Sequence, residues 1–354
     1  MHYLVFGTGA VGGLIGGRLA LAGHPVTFLA RPRLADILER EGLRIGGAGA
    51  SGWLERPTVV RDLAQAFTQR ELPDLILLTV KAYDCEAAAV SLAAATPNPP
   101  PVVCLLNGIG NEATLASQLG KERVIPAVLT TAVLMPEPGQ VRVERERGLD
   151  LAVGHPLLSR LQADLAGAGM PPRLHQDGQR MKWSKLLTNI VSNATSAILG
   201  WSPRAVFSHP GLYRLELEAL REVVRVMAGL GYAPEGLTGV SVQLLSWALG
   251  LPPWLSQPLL RQAVASGRGG KKPSFHYDIG RGRSEVRWLN GAVAREAARL
   301  GLPAPANTVL TDTMLELVES RLPPAAYADQ PGALLALAER AGVPGIRGYN
   351  PGAI

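Results

Sequence analysis

Cysteine is scarce: Cys85 and Cys104 are the only two in 354 residues. Two thiols without metal-ligand spacing make neither a disulfide framework nor a zinc site, so both read as small buried hydrophobes. Long apolar runs are also missing. Each hydrophobic stretch is broken by Gly, Pro or a polar residue well short of the roughly 20 residues that span a bilayer, which predicts a soluble chain with no membrane partner. No basic segment leads into an apolar stretch and cleavage site, so the expected compartment is the cytoplasm. The net charge of +6 is not gathered into a tail. Such dispersed Lys and Arg argue against nucleic acid and fit small anionic ligands. No internal repeat or low-complexity block is visible.

Glycine, by contrast, is placed with purpose. Tyr3-Leu4-Val5-Phe6 is an apolar run of the kind buried on both faces of a parallel sheet, and it stops at Gly7. Gly7, Thr8, Gly9, Ala10, Val11 and Gly12 then give the G-x-G-x-x-G spacing. The first Gly permits the tight turn, the second lets backbone approach a pyrophosphate, and the third lets helix and strand pack closely. A helix follows to Gly23, and Pro25–Ala30 reads as a second strand. Strand, turn, helix and strand at these distances predict a dinucleotide site of Rossmann type.

The end of the second strand chooses the dinucleotide. An acidic residue about 20 positions past the glycines would accept bonds from the ribose hydroxyls of NAD, whereas Arg meets the 2′-phosphate of NADP. Nineteen positions past Gly12 stands Arg31, with Arg33 close by and no Asp or Glu before Asp36. NADPH is therefore the expected cofactor.

Further apolar runs continue the βα rhythm. Leu75–Val80 ends at Lys81 and Val102–Leu106 ends at Asn107, so Gly7, Arg31, Lys81 and Asn107 are expected on the carboxyl rim of one sheet. Residues 124–155 read as antiparallel additions to the sheet edge. From Gly178 onward helical periodicity takes over, with one long helix expected from Met181 to Leu199 and others near 211–230, 238–249, 256–265, 285–299, 306–321 and 331–341. The fold class is thus α/β: an N-terminal parallel-sheet domain over 1–175, then a mostly helical domain over 176–354, of which 322–354 is an extension.

Chemistry-bearing residues gather in two places. Lys185, Asn189 and Asn193 recur every fourth residue, which on a continuous helix puts them on one face of an otherwise apolar segment. Polar groups so placed need a partner or a ligand to offset desolvation. The second place runs from Lys271-Lys272 and Ser274 through Asp278 to Ser284 and Glu285, where Ser284 can cap a helix beginning at Glu285.

Together with Thr79-Val80-Lys81-Ala82, Leu106–Gly110, Trp183–Leu186 and Asn290-Gly291, these stretches resemble the ketopantoate reductase family over roughly residues 1–320. The resemblance implies an NADP-binding first domain, a substrate-binding second domain, and reduction of a 2-keto acid, ketopantoate, on the route to pantothenate and coenzyme A. It implies that Lys185 is the general acid and that Glu285 supports it. Asn189, Asn193 and Ser274 would hold the substrate's polar groups, and Lys81 and Asn107 would touch cofactor and substrate. An ammonium at Lys185 would stabilise and protonate the carbonyl oxygen as charge grows there. Partial burial would lower its pKa and Glu285 would oppose that. Two departures bear on the substrate: Asp278 and Glu285 are seven positions apart, one fewer than the family pattern, and Lys271-Lys272 replace an expected Asn. A sister 2-keto acid reductase or a non-catalytic NADP-binding regulator are the alternatives. The apolar helices of the second domain would also allow a homodimer.

Overall fold

In the computed structural model, the short apolar runs form a parallel sheet whose strands end in line. Phe6 lies opposite both Leu29 and Leu78, and Leu78 opposite Cys104. Side chains alternate between two cores: Tyr3, Val5, Phe28 and Leu77 enter one, and Leu4, Leu29, Ile76 and Leu78 the other. That two-sided burial is why these strands read as unbroken apolar runs. At roughly 1.5–3 kcal/mol per buried large aliphatic or aromatic side chain, the sheet is the main source of stability in this part of the chain. Residues 1–49, 51–68, 72–268 and 274–348 are described by the structure.

From edge to edge the eight strands are Thr58–Val60, Val26–Leu29, Tyr3–Phe6, Leu75–Leu78, Val102–Cys104, Val124–Leu129, Leu149–Ala152 and Arg173–His175. Of the region expected to add antiparallel strands, only Leu149–Ala152 does so; Val124–Leu129 continues the parallel order. Gln140–Arg145 leaves the main sheet altogether. It pairs parallel with Leu43–Gly47 and antiparallel with Ala132–Glu137 in a second, four-stranded sheet.

The helix Ala10–Leu21 explains the second sheet, since it is filled by glycine on two sides. A Cβ on Gly16 would stand 2.8 Å from the Phe28 ring, on the main-sheet side. On the other side, a Cβ on Gly13 would stand 2.8 Å from Val141 Cγ2 and one on Gly17 2.7 Å from Ile45 Cδ1. The helix is therefore packed between two sheets at a distance that only missing side chains allow.

This first unit comprises Met1–Lys182 together with Leu237–Val240, and the second begins at Trp183 and resumes at Ser241. The division falls inside the helix Gly178–Asn189, seven residues beyond the boundary read from the change to helical periodicity. Leu237–Val240, expected to open a helix, instead joins the first unit. Thr238 donates from its backbone N–H and Oγ1 to buried Asp150, at 3.1 Å each to Oδ1, and Asp150 also meets His175 Nε2 at 2.8 Å.

The second unit is helical, centred on Pro210–Gly229. Two carboxylates on that helix serve as caps for others. Glu222 accepts from the Ala306 and Asn307 N–H groups, both at 2.8 Å, at the start of Pro305–Val318. Glu216 accepts from Ser192 N–H at 2.7 Å and from the Thr195 hydroxyl, at the start of Asn193–Leu199. Burial drives the Glu222 carboxyl up from its ordinary value, against the downward pull of those amides.

Candidate functional site

In the first unit the candidate residues surround the glycine turn. Gly7 has φ +105°, a conformation that favours glycine, and the Thr79 hydroxyl donates to its carbonyl at 2.6 Å. Gly9 is exposed, and a Cβ built there meets nothing within 4 Å, so the backbone faces open space. The first helical bond runs from Gly13 N–H to Gly9 O at 2.7 Å, which leaves the Ala10, Val11 and Gly12 amides at the free, positive end of the helix. Gly12 is closed in by Val5, the Gly7 carbonyl and Thr79. These features fit a dinucleotide pyrophosphate. Thr8 turns inward, its hydroxyl donating to Leu29 O at 3.0 Å, so only its backbone is available to a ligand.

Arg31 stands at the end of its strand with an almost fully exposed guanidinium. The Asp84 carboxylate lies 3.4 Å away, contributed from a position 53 residues later, where counting along the sequence does not look. Lys81 and Asn107 are exposed at the ends of the neighbouring strands.

One residue beneath this rim was not singled out from sequence. Lys182 is buried, donates to the carbonyls of Cys104 at 3.0 Å and Leu106 at 2.9 Å, and lies 2.7 Å from Glu112 Oε1. It therefore fixes the strand end that leads directly into Asn107. Burial pulls its ammonium down, but Glu112 outweighs this and carries it above the usual lysine value. The available signal was a lysine between Met181 and Trp183, both apolar and both buried. The nearby thiols are inert: burial pushes Cys85 up to about 12 and Cys104 well above its ordinary value.

In the second unit Lys185 and Asn189 lie one turn apart on Gly178–Asn189, both partly buried. The helix does not continue to Leu199 as expected. It stops at Asn189, Ser192 takes the left-handed φ of +53°, and a new helix begins at Asn193. Ile190, Val191 and Ser192 are weak helix formers, and Glu216 supplies the cap that stabilises the break. Asn193 thus belongs to a different helix from Lys185 and Asn189. Its amide instead meets Ser274, 81 positions on: Asn193 Nδ2 donates to Ser274 Oγ at 3.1 Å, and Phe275 N–H donates to Asn193 Oδ1 at 3.4 Å.

Glu285 is 4% exposed and opens the 3-10 turn Glu285–Trp288, which Ser284 caps by accepting from Val286 N–H at 3.2 Å. The Ser284 hydroxyl donates to Asp278 at 2.9 Å, which ties together the two ends of the seven-residue interval. The helix expected over 285–299 is this turn followed by Asn290–Arg299. Lys271-Lys272 lie outside the described residues.

Two family models match the chain: one described as ketopantoate reductase PanE/ApbA over residues 3–155, and its C-terminal counterpart over 177–317. A 2-dehydropantoate 2-reductase of Archaeoglobus fulgidus is 28% identical over 331 residues, covering 90% of this chain and 98% of that protein. Among solved structures, a PanE/ApbA family ketopantoate reductase from Ralstonia eutropha is 29% identical with a TM-score of 0.76, covering 91% of this chain and 99% of that one. A D-mandelate dehydrogenase in complex with NADH and anilino(oxo)acetate shares the fold, with a TM-score of 0.72 at 19% identity, over 90% of this chain and 99% of that one.

Proposed function

The chain belongs to the ketopantoate reductase family of oxidoreductases, and on that premise we propose that it reduces 2-dehydropantoate to pantoate with NADPH. The contact between Asn193 and Ser274 carries the reading: two residues expected to hold the substrate, 81 positions apart, share hydrogen bonds, with Asn193 buried and Ser274 open to solvent. An amide and a hydroxyl held by one another at such an edge are pre-oriented for a polar ligand.

When bound, a reduced nicotinamide supplies the hydride equivalent. The Ala10–Gly12 amides hold the pyrophosphate, and the exposed Arg31 guanidinium meets the 2′-phosphate. Asn189, Asn193 and Ser274 orient the keto acid through its hydroxyl and carboxylate oxygens. Lys185 gives a proton from Nζ to the carbonyl oxygen as negative charge develops there, and regains one from solvent after product leaves. Glu285, buried in the same unit, keeps that ammonium charged and oriented.

A panel of 2-keto acids followed by NADPH oxidation tests this. Turnover of ketopantoate at least about tenfold faster than 2-ketoisovalerate or phenylglyoxylate is expected from a site that hydrogen-bonds the substrate hydroxyl, which those acids lack. Equal turnover of all three would leave a broader 2-keto acid reductase. No turnover of any would leave a non-catalytic NADP-binding protein.

A further inference from the structure

Among the described residues, Ser192, Ser320 and Asp329 are the non-glycine positions with a left-handed φ. Ser320 and Asp329 are exposed, whereas Ser192 is 0% exposed. A residue with a Cβ adopts this φ at a steric cost, and inside a protein it does so only where the surroundings over-determine it. At Ser192 they do. Its N–H donates to Glu216 Oε2 at 2.7 Å, its carbonyl accepts from Ser196 N–H at 3.3 Å, and its hydroxyl meets that of Ser196 at 2.8 Å.

Stability alone does not call for this arrangement. A helix start is ordinarily capped by the side chain of a Ser, Thr, Asp or Asn just ahead of it, with that residue extended. Ser192 stands in that place before Asn193–Leu199, yet it is left-handed and its hydroxyl makes no cap bond. The capping falls instead to Glu216, a carboxylate 2% exposed on another helix, whose second oxygen accepts from the Thr195 hydroxyl. Burying a carboxylate is costly, and a local cap would avoid it. What the costlier device fixes is the next residue. Asn193, 4% exposed, donates from Nδ2 to Ser274 Oγ at 3.1 Å and accepts from Phe275 N–H at 3.4 Å, so a buried amide aims an exposed hydroxyl.

We infer that Glu216 and left-handed Ser192 are positioning residues for the keto acid: they act through Asn193 on the Ser274 hydroxyl and so set how tightly the substrate's polar oxygens are held. The inference rests on the keto acid reading of that pair. It leaves the cofactor groups aside, since Gly9 and Arg31 belong to the other unit.

Two pairs of variants of the full chain test it. Glu216→Leu removes both hydrogen bonds, whereas Glu216→Gln keeps them, its carbonyl accepting from Ser192 N–H while the Thr195 hydroxyl turns to accept from its amide. In Glu216→Leu the KM for ketopantoate should rise about 10-fold or more, with kcat changed less and the NADPH dissociation constant unmoved; Glu216→Gln should return KM to within about threefold of wild type. Ser192→Val, whose branched Cβ excludes the left-handed region, should repeat the rise, and Ser192→Gly, which favours that region, should not. A merely structural role would lower the melting temperature and leave KM unchanged at temperatures well below it, and that result overturns the inference. Equal KM values for Ser192→Val and Ser192→Gly overturn it too. In a crystal structure of Glu216→Leu, Asn193 should have withdrawn from Ser274. An unmoved pair overturns the inference whether or not the wild-type chain turns over ketopantoate, whereas absent wild-type turnover counts against the keto acid reading alone.

Discussion

Gly9, Arg31, Lys81 and Asn107 in the first unit are exposed, whereas Asn193, Glu216, Glu222 and Glu285 in the second are buried. The first unit offers a ligand backbone amides and solvated charge at the ends of strands, so its binding groups are displayed by an apolar scaffold that does not depend on them. In the second unit buried Glu216 and Glu222 cap neighbouring helices, and buried Asn193, a candidate for substrate binding, is itself tied to Ser274 and Phe275. Function and stability are separable in the first unit and meet at Asn193 in the second.

The largest expected effect tests whether that overlap reaches the reacting group. Lys185 is only partly buried, so Lys185→Ala should leave the fold intact and NADPH affinity unchanged while turnover falls about 10²–10⁴-fold, the usual yield of general acid catalysis. Single-turnover kinetics beside cofactor titration separate the two; a variant that turns over normally would move the proton donor elsewhere, with Lys81 the next candidate.

Lys182, like Asp150, is a buried charge within the first unit, and it lies beneath an exposed rim. Lys182→Met should cost about 3–5 kcal/mol in urea unfolding, because it strands Glu112 without a counter-charge, and adding Glu112→Leu should restore much of the loss. Its raised pKa means the pair's stabilisation is complete below 10.5 and is lost only as pH rises through the still higher folded value. A cost below about 0.5 kcal/mol would show that the Lys182–Glu112 pair adds nothing net to stability.

Arg31→Asp should weaken NADPH by about 10- to 100-fold through loss of a charged hydrogen-bond partner, with NADH changed far less and melting temperature unmoved. Equal losses for the two cofactors would transfer the phosphate contact to Arg33. The smallest effect belongs to the second unit. A carboxyl whose folded pKa is raised contributes stability that is full below 4.5 and fades as pH rises through the folded value. Glu222→Gln should remove that term, so the stability gap between wild type and variant should widen on going from pH 7.5 to 4.5 in urea unfolding. Parallel pH profiles would show that Glu222 does not titrate in this range.

What could be read from sequence follows the same division. The glycine turn and the strand runs are local patterns whose meaning depends on neighbours within about 30 residues. The break at Ile190–Ser192 was not legible, since the cap that stabilises it comes from Glu216 on another helix. Gln140–Arg145 was misplaced because its parallel partner, Leu43–Gly47, lies nearly a hundred residues earlier. Asp150 did leave a trace, a carboxylate inside the run Leu149-Asp150-Leu151, but its partners His175 and Thr238 could only be found in space.

Thr238 sits on the four-residue return of the chain, and that return has a consequence for how such proteins can be recombined. The polypeptide passes between units three times, after Lys182, Gly236 and Val240. A single splice at the first passage would therefore exchange one unit together with a piece of the other. A chimera joined there would bring a relative's segment to meet this chain's Asp150 and Thr130, so grafting a new second unit onto this first unit requires retaining Leu237–Val240 as an island of native sequence.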